Sequence, residues 1–370
     1  MNRRVFLKKS IVAGSLVLGP GLTGCSRDLR ERPAPAGAGT VAGQKLNEDG
    51  WRILYYASLA PSGHNSQPWF VKVEDKHEWV VGSDKTRWLQ VVDPDNREAL
   101  LSIGAFIENL VLAADFMGYD TEVKVVGRGR FDADVARIKL KSGRSNAVAI
   151  QRLEERRTVK TGFLPKEIET EDLSIFRKAT GGGLYYFPRE SAHGKLMAEA
   201  AVENFRLQFE NEAAMAEAAG WTRLSDAEAM QFRDGLTTDG MEIRGFTGWW
   251  VRSFMDKDDL TGSTWREKGV EKIRTQAAEG AGWLVITSEG ETVGDLVAAG
   301  RRFQRMALLA REKNIGIHPM TQTLEEAHGQ ASVRENHSPS VIPQFMLRVG
   351  YVENYPKPVS LRRPVGWFLA

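Results

Sequence analysis

The chain has 370 residues, 42% apolar and 26% charged, with a formal net charge of +2. This is the composition of a globular protein with enough chain for a sizeable core, and its near-neutral charge leaves no footprint for nucleic acid. A single cysteine, Cys25, excludes an intramolecular disulfide, a thiolate metal site and an iron–sulfur cluster.

In chain order, residues 1–24 read as a targeting segment. They hold Arg3, Arg4, Lys8 and Lys9 and no acid; taking those four charges from +2 leaves the remainder at −2. Asn2-Arg3-Arg4-Val5-Phe6-Leu7-Lys8 resembles the twin-arginine export motif, and Leu22-Thr23-Gly24-Cys25 resembles a bacterial lipobox with Cys25 as the lipidated residue. The apolar run Ile11 to Leu18 is too short to span a bilayer as a stable helix. Residues 25–46, with Pro33 and Pro35 and few large apolar side chains, read as a flexible tether.

Folded structure is expected from Asn47, an N-cap for a helix carrying Trp51, Leu54, Tyr55 and Ser58 and stopped by Pro61. Ala60-Pro61-Ser62-Gly63-His64-Asn65-Ser66-Gln67-Pro68-Trp69 follows. It contains no Asp, Glu, Lys or Arg. Such a rigid, neutral, hydrogen-bonding loop suits a flat heteroaromatic ligand, and equally a plain helix-to-strand connection. Strands are predicted at 70–74 and 78–81, then a helix from about Asp95 to Gly118 with Leu100, Ile103, Ile107 and Leu110 on its stripe. Strands at 121–126 and 135–140 follow.

Arg152 to Phe163 holds Arg152, Arg156, Arg157 and Lys160 beside two threonines. Guanidinium forks and hydroxyls are what a phosphate monoester needs, but composition alone favours a solvated helix face with Glu154 and Glu155 as partners. A strand at 184–187 and one long helix over 191–219 come next. Residues 236–262 mix glycines with Phe246, Trp249, Trp250 and Phe254, the makings of a lid over a site or of a helix connection packed on the core.

The last third repeats the earlier plan: a strand at 282–287, a helix opened by Thr292 and Asp295, Ile315 to Met320, and a strand at 344–349. Setting Gly104 on Gly300 places Ile107 on Phe303, Leu110 on Met306 and Ala114 on Ala310, a faint internal repeat. No Gly-rich phosphate loop, dinucleotide fingerprint, serine elbow or His-Glu-x-x-His occurs, and the scattered His318, His328 and His337 read as non-ligating, so no metal is expected.

The loop from Ala60 to Trp69 resembles the A-P-S-x-x-N-x-Q-P-W signature of the nitroreductase superfamily of FMN proteins. Arg156-Arg157-Thr158-Val159-Lys160 resembles its R-R-S-x-R phosphate motif, with Thr for Ser and Lys for the last Arg. Ile315 to Met320 is similar to the family's flavin-side loop, and Val349 through Pro364 to its closing strand and basic tail. The motif order is inverted relative to ordinary members, which resembles the Acg-like branch, a dimer fused into one chain.

The resemblance implies an α+β fold of nitroreductase type, with a central, mostly antiparallel sheet flanked by helices. It implies an N-terminal half over 47–147 and a C-terminal half over 148–370, the latter with a possible lid at 236–262. It implies FMN as cofactor. Pro61, Ser62 and Gly63 would face the ring, with Asn65 and Gln67 near its edge. Arg156, Arg157 and Lys160 would hold the phosphate, with Arg362 or Arg363 adding a contact. Ile317, His318 and Pro319 would line the other edge, and His64, Trp249 and Trp250 would lie on the substrate or lid side. Catalysis would rest on the flavin, passing electrons or hydride by a ping-pong route to a small nitro or quinone-like acceptor. The alternative is an exported flavin-binding or flavin-sequestering protein without NAD(P)H turnover. The leader adds the export machinery and a periplasmic, lipid-anchored location to the expected partners. The oligomer is expected to be a monomer or homodimer.

Overall fold

The computed structural model describes residues 46–145, 150–337 and 342–370. The leader 1–24, Cys25 and all but the last residue of the tether 25–46 lie outside the described residues, as does the expected boundary between halves at 147/148.

The first half opens with the helix Glu48–Ser58, where the Asn47 side chain accepts from the Gly50 amide as an N-cap. Strands β1 (Trp69–Asp75) and β2 (Glu78–Ser83) form a hairpin. The helix Arg97–Phe116 crosses beneath, with Ile103, Ile107 and Leu110 fully buried. Strands β3 (Tyr119–Val125) and β4 (Asp134–Ser142) complete an antiparallel sheet of order β1-β2-β4-β3.

The second half begins with the helices Ile150–Glu155 and Thr170–Thr180 and strand β5 (Leu184–Pro188). An insertion then supplies the helices Ala192–Glu210, Glu212–Gly220, Asp226–Phe232, Gly245–Phe254, Lys257–Thr261 and Ser263–Ala277. It also carries a short parallel pair, β6 (Thr222–Arg223) and β7 (Leu236–Thr237). Strand β8 (Gly282–Ser288), the helix Val293–Glu312, β9 (Ile315–Pro319), the helices Gln322–Glu325 and Ala327–His337, and β10 (Ile342–Tyr351) follow. The second antiparallel sheet runs β5-β8-β10-β9. The expected α+β architecture is present, with its antiparallel strands divided between two sheets of the same topology.

The repeat is close in register. A constant offset of 196 residues carries helix start to helix start (97 to 293), helix end to helix end (116 to 312) and the next strand start to its counterpart (119 to 315). The two long helices cross at the glycines that the sequence alignment paired. A Cβ on Gly104 would lie 2.3 Å from Val297 O and 3.0 Å from Gly300 Cα, and one on Gly300 would lie 2.0 Å from Leu101 O. Only glycine permits backbones to approach so closely. Around that crossing Gln304 donates to Asn109 Oδ1 at 2.7 Å, and Glu108, 2% exposed, accepts from Arg301 and Arg305.

The single helix expected over 191–219 is two. Asn211 breaks it with an extended backbone, and its side chain accepts from the Ala213 and Ala214 amides to start the second helix. The tail returns to the first half. Val71 N donates to Phe368 O at 2.7 Å and Ala370 N to Val71 O at 2.9 Å, covering the β1 edge.

Candidate functional site

The loop from Ala60 to Trp69 is held in a conformation that its sequence alone would not choose. His64, Asn65 and Gln67 have φ of 49°, 53° and 53°, a region costly for side chains other than Asn and Asp. Hydrogen bonds offset that strain. Gln67 is fully buried; its amide donates to Arg233 O at 2.9 Å and accepts from Arg363 N at 2.8 Å. Asn65 donates to Gly235 O and Leu361 O, each at 3.2 Å, and accepts from Arg362 Nη1 at 2.8 Å. The Gln67 amide N–H donates to Ser62 Oγ at 2.9 Å.

These contacts redirect four of the expected site residues. Asn65 and Gln67 clamp the loop to the tail and to residues 233–235. Arg362 also donates to Leu59 O at 3.2 Å, and Arg363 to Gln67 O at 2.6 Å and Trp69 O at 2.7 Å. Burial pushes Arg363 down to about 9. The two tail guanidinium groups are thus committed to loop carbonyls and to the Asn65 side chain. Pro61, Ser62, Gly63, His64 and Asn65 are the loop's partly exposed residues. A Cβ on Gly63 would lie 3.0 Å from Glu98 Oε2, so the loop rests on the first turn of the helix Arg97–Phe116.

The cationic patch is not the solvated face that composition favoured. Arg156 and Arg157 are each 6% exposed. Glu155 pairs with Arg311, and Arg152 with Glu312. Arg157 is fully engaged: Nη2 pairs with Glu242 Oε1 at 2.8 Å and Nη1 donates to Lys357 O at 2.7 Å. Arg156 differs. Its Nε is buried without a hydrogen-bond partner, and burial pulls its proton affinity down, with Arg157 adding to that and Tyr355 opposing it. Lys160 is pushed down to about 8, first by burial and then by Lys272, with Glu242 opposing. Among the described residues, no carboxylate forms an ion pair with Lys160.

His318, on β9, is buried and faces Arg348 across the β9–β10 pair. Arg348 Nη2 lies 3.1 Å from His318 Nδ1. A guanidinium only donates, so Nδ1 accepts and the ring carries its proton on Nε2. Arg348 also donates to Lys160 O at 2.6 Å and stacks 4.3 Å from the Phe163 ring centroid. Val159 N donates to Ile317 O at 3.1 Å, which lays the segment after the patch along β9 beside Ile317, His318 and Pro319.

Electrostatics joins the three segments. Burial lowers His64, Glu98 and Glu217 oppose that, and the Lys160 charge adds to the lowering. Burial holds His318 well below its ordinary value, with Arg348, Lys160 and Lys272 pushing the same way. Lys160 therefore stands within electrostatic reach of a loop residue of the first half and a strand residue of the second. Both histidines are neutral at pH 7.

The chain is 23% identical over 314 residues to a Serratia sp. protein named as a probable NAD(P)H nitroreductase, PigM, covering 80% of this chain and 86% of that one. The similarity to that protein thus spans most of both chains. It is also 41% identical over 68 residues to the Mycobacterium tuberculosis protein acg, named as an NAD(P)H nitroreductase, a match covering 18% of this chain and 20% of that protein. No protein-family model matches. Among solved structures, a nitroreductase-like family protein from Bacillus cereus overlaps with a TM-score of 0.35 at 13% identity, covering 60% of this chain and 94% of that one. The FMN-dependent nitroreductase NfnB from Mycobacterium smegmatis, solved with NADPH, overlaps with a TM-score of 0.34 at 14% identity, covering 57% and 93%.

The chain also uses residues that motif reading passed over. Arg348 was visible as a lone charge inside the apolar run Phe345 to Val349. Glu242 and Lys272 carried no such signal, because only the folded insertion brings them to Arg157 and Lys160. Trp249 and Trp250 sit on the helix Gly245–Phe254, where their ring contacts are with Phe246 and Phe254.

Proposed function

We propose that the chain binds FMN between the 61–64 loop and the Arg156–Lys160 patch, and that it is a nitroreductase-type oxidoreductase of the Acg-like fused branch. The observation that carries this reading is Lys160: a partly buried cation that, among the described residues, has no carboxylate ion partner and stands within electrostatic reach of both His64 and His318. Burying such a charge is unfavourable unless an anion meets it. The orphaned Arg156 Nε, four residues away, adds an unmet donor. A phosphate monoester fits both. The uncharged Pro61–Gly63 segment suits a planar ring, and Ile317, His318 and Pro319 lie on the same side of the fold as the patch.

Bound FMN supplies transfer of two electrons to a small nitro or quinone-like acceptor. The chain's own residues would bind and orient it. Lys160, with its value of about 8, remains mostly charged at pH 7 and stabilises negative charge. Neutral His64 and His318 add no competing positive charge. Arg157 with Glu242, and the tail arginines with the loop carbonyls, hold the two walls in place.

The leader motif and Cys25 support export by the twin-arginine route, with lipid anchoring on the periplasmic side. NAD(P)H is expected to be scarce there, which favours a second reading, a flavin-binding protein that does not turn over nicotinamide. Visible absorbance of the purified protein tests the first step, and anaerobic NADPH addition separates the two readings. Bleaching supports the reductase; unchanged oxidised flavin supports the binder. Incorporation of labelled palmitate at Cys25 in cells tests the anchor.

A further inference from the structure

The helix Gly245–Phe254 is apolar on two sides. Its inner side places Val251, 2% exposed, in a small cluster with Ala219, Leu224 and Leu260. Its outer side exposes Phe246 at 59% and Trp249 at 48%. Half-buried Trp250 and Phe254 join them, with ring centroids 5.4 Å apart for Phe246–Trp249 and 4.4 Å for Trp250–Phe254. A surface helix ordinarily turns one apolar stripe inward and a polar face to water. Among the described residues, the ring contacts of this second face are with one another, and a contiguous exposed aromatic patch marks an interaction surface.

We propose that this face docks into the headgroup layer of a phospholipid bilayer. The proposal rests on the lipid-anchored reading above, and the chain outside the structure says why lipid is the occupant. Residues 26–45 separate Cys25 from the first described residue, Leu46. Fully extended, they reach no more than about 70 Å. A fold of this length has a diameter of about 50 Å. An anchored chain therefore keeps this helix within about 120 Å of lipid, the tether's reach plus the fold's diameter, where tethering makes even a weak surface affinity effective.

The residue types agree. Trp and Phe are the side chains that settle at the membrane interface. At ten residues, the helix spans about 15 Å, too short to cross a bilayer but suited to lying in its plane. Exposed Arg244 and Lys257 bracket it, with Asp256 and Asp258 beside Lys257. The mixed charge makes burial of the rings, more than attraction to anionic lipid, the driving force.

The test uses the full chain with Cys25→Ser, so that lipidation does not contribute, and Thr247→Cys carrying an environment-sensitive fluorophore. Vesicles of phosphatidylethanolamine and phosphatidylglycerol are the probe. Docking predicts a brightening of about threefold on vesicles that persists in high salt. Adding Phe246→Ser and Trp249→Ser should abolish it while circular dichroism stays unchanged. Three results overturn the proposal. The first is an unchanged fluorophore on vesicles. The second is loss of self-association in the serine variant without lipid, which assigns the face to a second copy. The third is faster flavin release in that variant with no vesicle response, which assigns it to a lid. Palmitate labelling is read separately, so failure of the anchor and failure of docking are distinguishable.

Discussion

Arg156 and Arg157 are adjacent in sequence and opposite in energetic role. Removing Arg157 leaves Glu242, 1% exposed at its side chain, with only Arg244 at 3.8 Å and the Thr161 hydroxyl, so Arg157→Ala should destabilise the fold by about 3 kcal/mol. Arg156 has no such partner. Arg156→Met should leave thermal stability unchanged or raise it, while weakening FMN binding by about 1.5–3 kcal/mol, the worth of a hydrogen bond to a charged group. A double alanine variant would confuse the two effects; separate unfolding and flavin titrations resolve them.

Lys160 makes a prediction with a sign. Its value falls from 10.5 to about 8 in the fold. Below pH 8 both states hold the proton and the cost of burying the charge is complete. Between about 8 and 10.5 only the unfolded chain keeps the proton, so that cost is relieved and Lys160 contributes a rise in stability with pH. Lys160→Met should therefore stabilise the protein at pH 7, by at most about 3 kcal/mol, and flatten this rise in denaturant titrations. His318 works at the other end. Its value lies well below 6.5, so its stabilising share is present above 6.5 and is lost as pH falls through the folded value. His318→Gln should make the acid decline shallower.

At the scale of elements, the crossing of the two long helices gives a test that separates local propensity from packing. Alanine in place of a mid-helix glycine ordinarily stabilises by about 0.5–1 kcal/mol. At Gly300 the added methyl would meet Leu101 O at 2.0 Å, and at Gly104 Val297 O at 2.3 Å. Both atoms are main chain and neither moves cheaply. Gly104→Ala and Gly300→Ala should each destabilise by about 1–3 kcal/mol, read as lowered thermal midpoints.

Most elements were legible because periodicity and punctuation agreed. Asn47 and Pro61 bracket the first helix, and Thr292 with Asp295 opens the last long one. The break at Asn211 was not legible, since alanine and glutamate run on both sides of it and only the side-chain cap shows where the helix restarts. The loop from Ala60 to Trp69 was recognisable as a unit, but the duties of its polar side chains were not. Asn65 and Gln67 meet partners about 165 to 300 residues away in sequence, a distance that no local pattern reports. The burial of Arg156 and Arg157 was hidden for the same reason: composition counts Glu154 and Glu155 as neighbours, whereas the fold supplies Glu242 from the insertion.

At the scale of the molecule, two halves of one topology share a crossing of helices, and the candidate site draws on both. The loop belongs to the first half; Lys160 and His318 belong to the second. The insertion between β5 and β8 supplies the Arg157 counter-ion and carries the aromatic helix, so what distinguishes the halves is gathered near the site. Titration of the purified protein with FMN, followed by visible absorbance, tests most directly whether loop and patch together form one flavin site. Saturable binding of one FMN per chain is predicted, weakening as pH rises through about 8 and lost in Lys160→Met. Protein that carries no flavin and shows no spectral change on titration would contradict it.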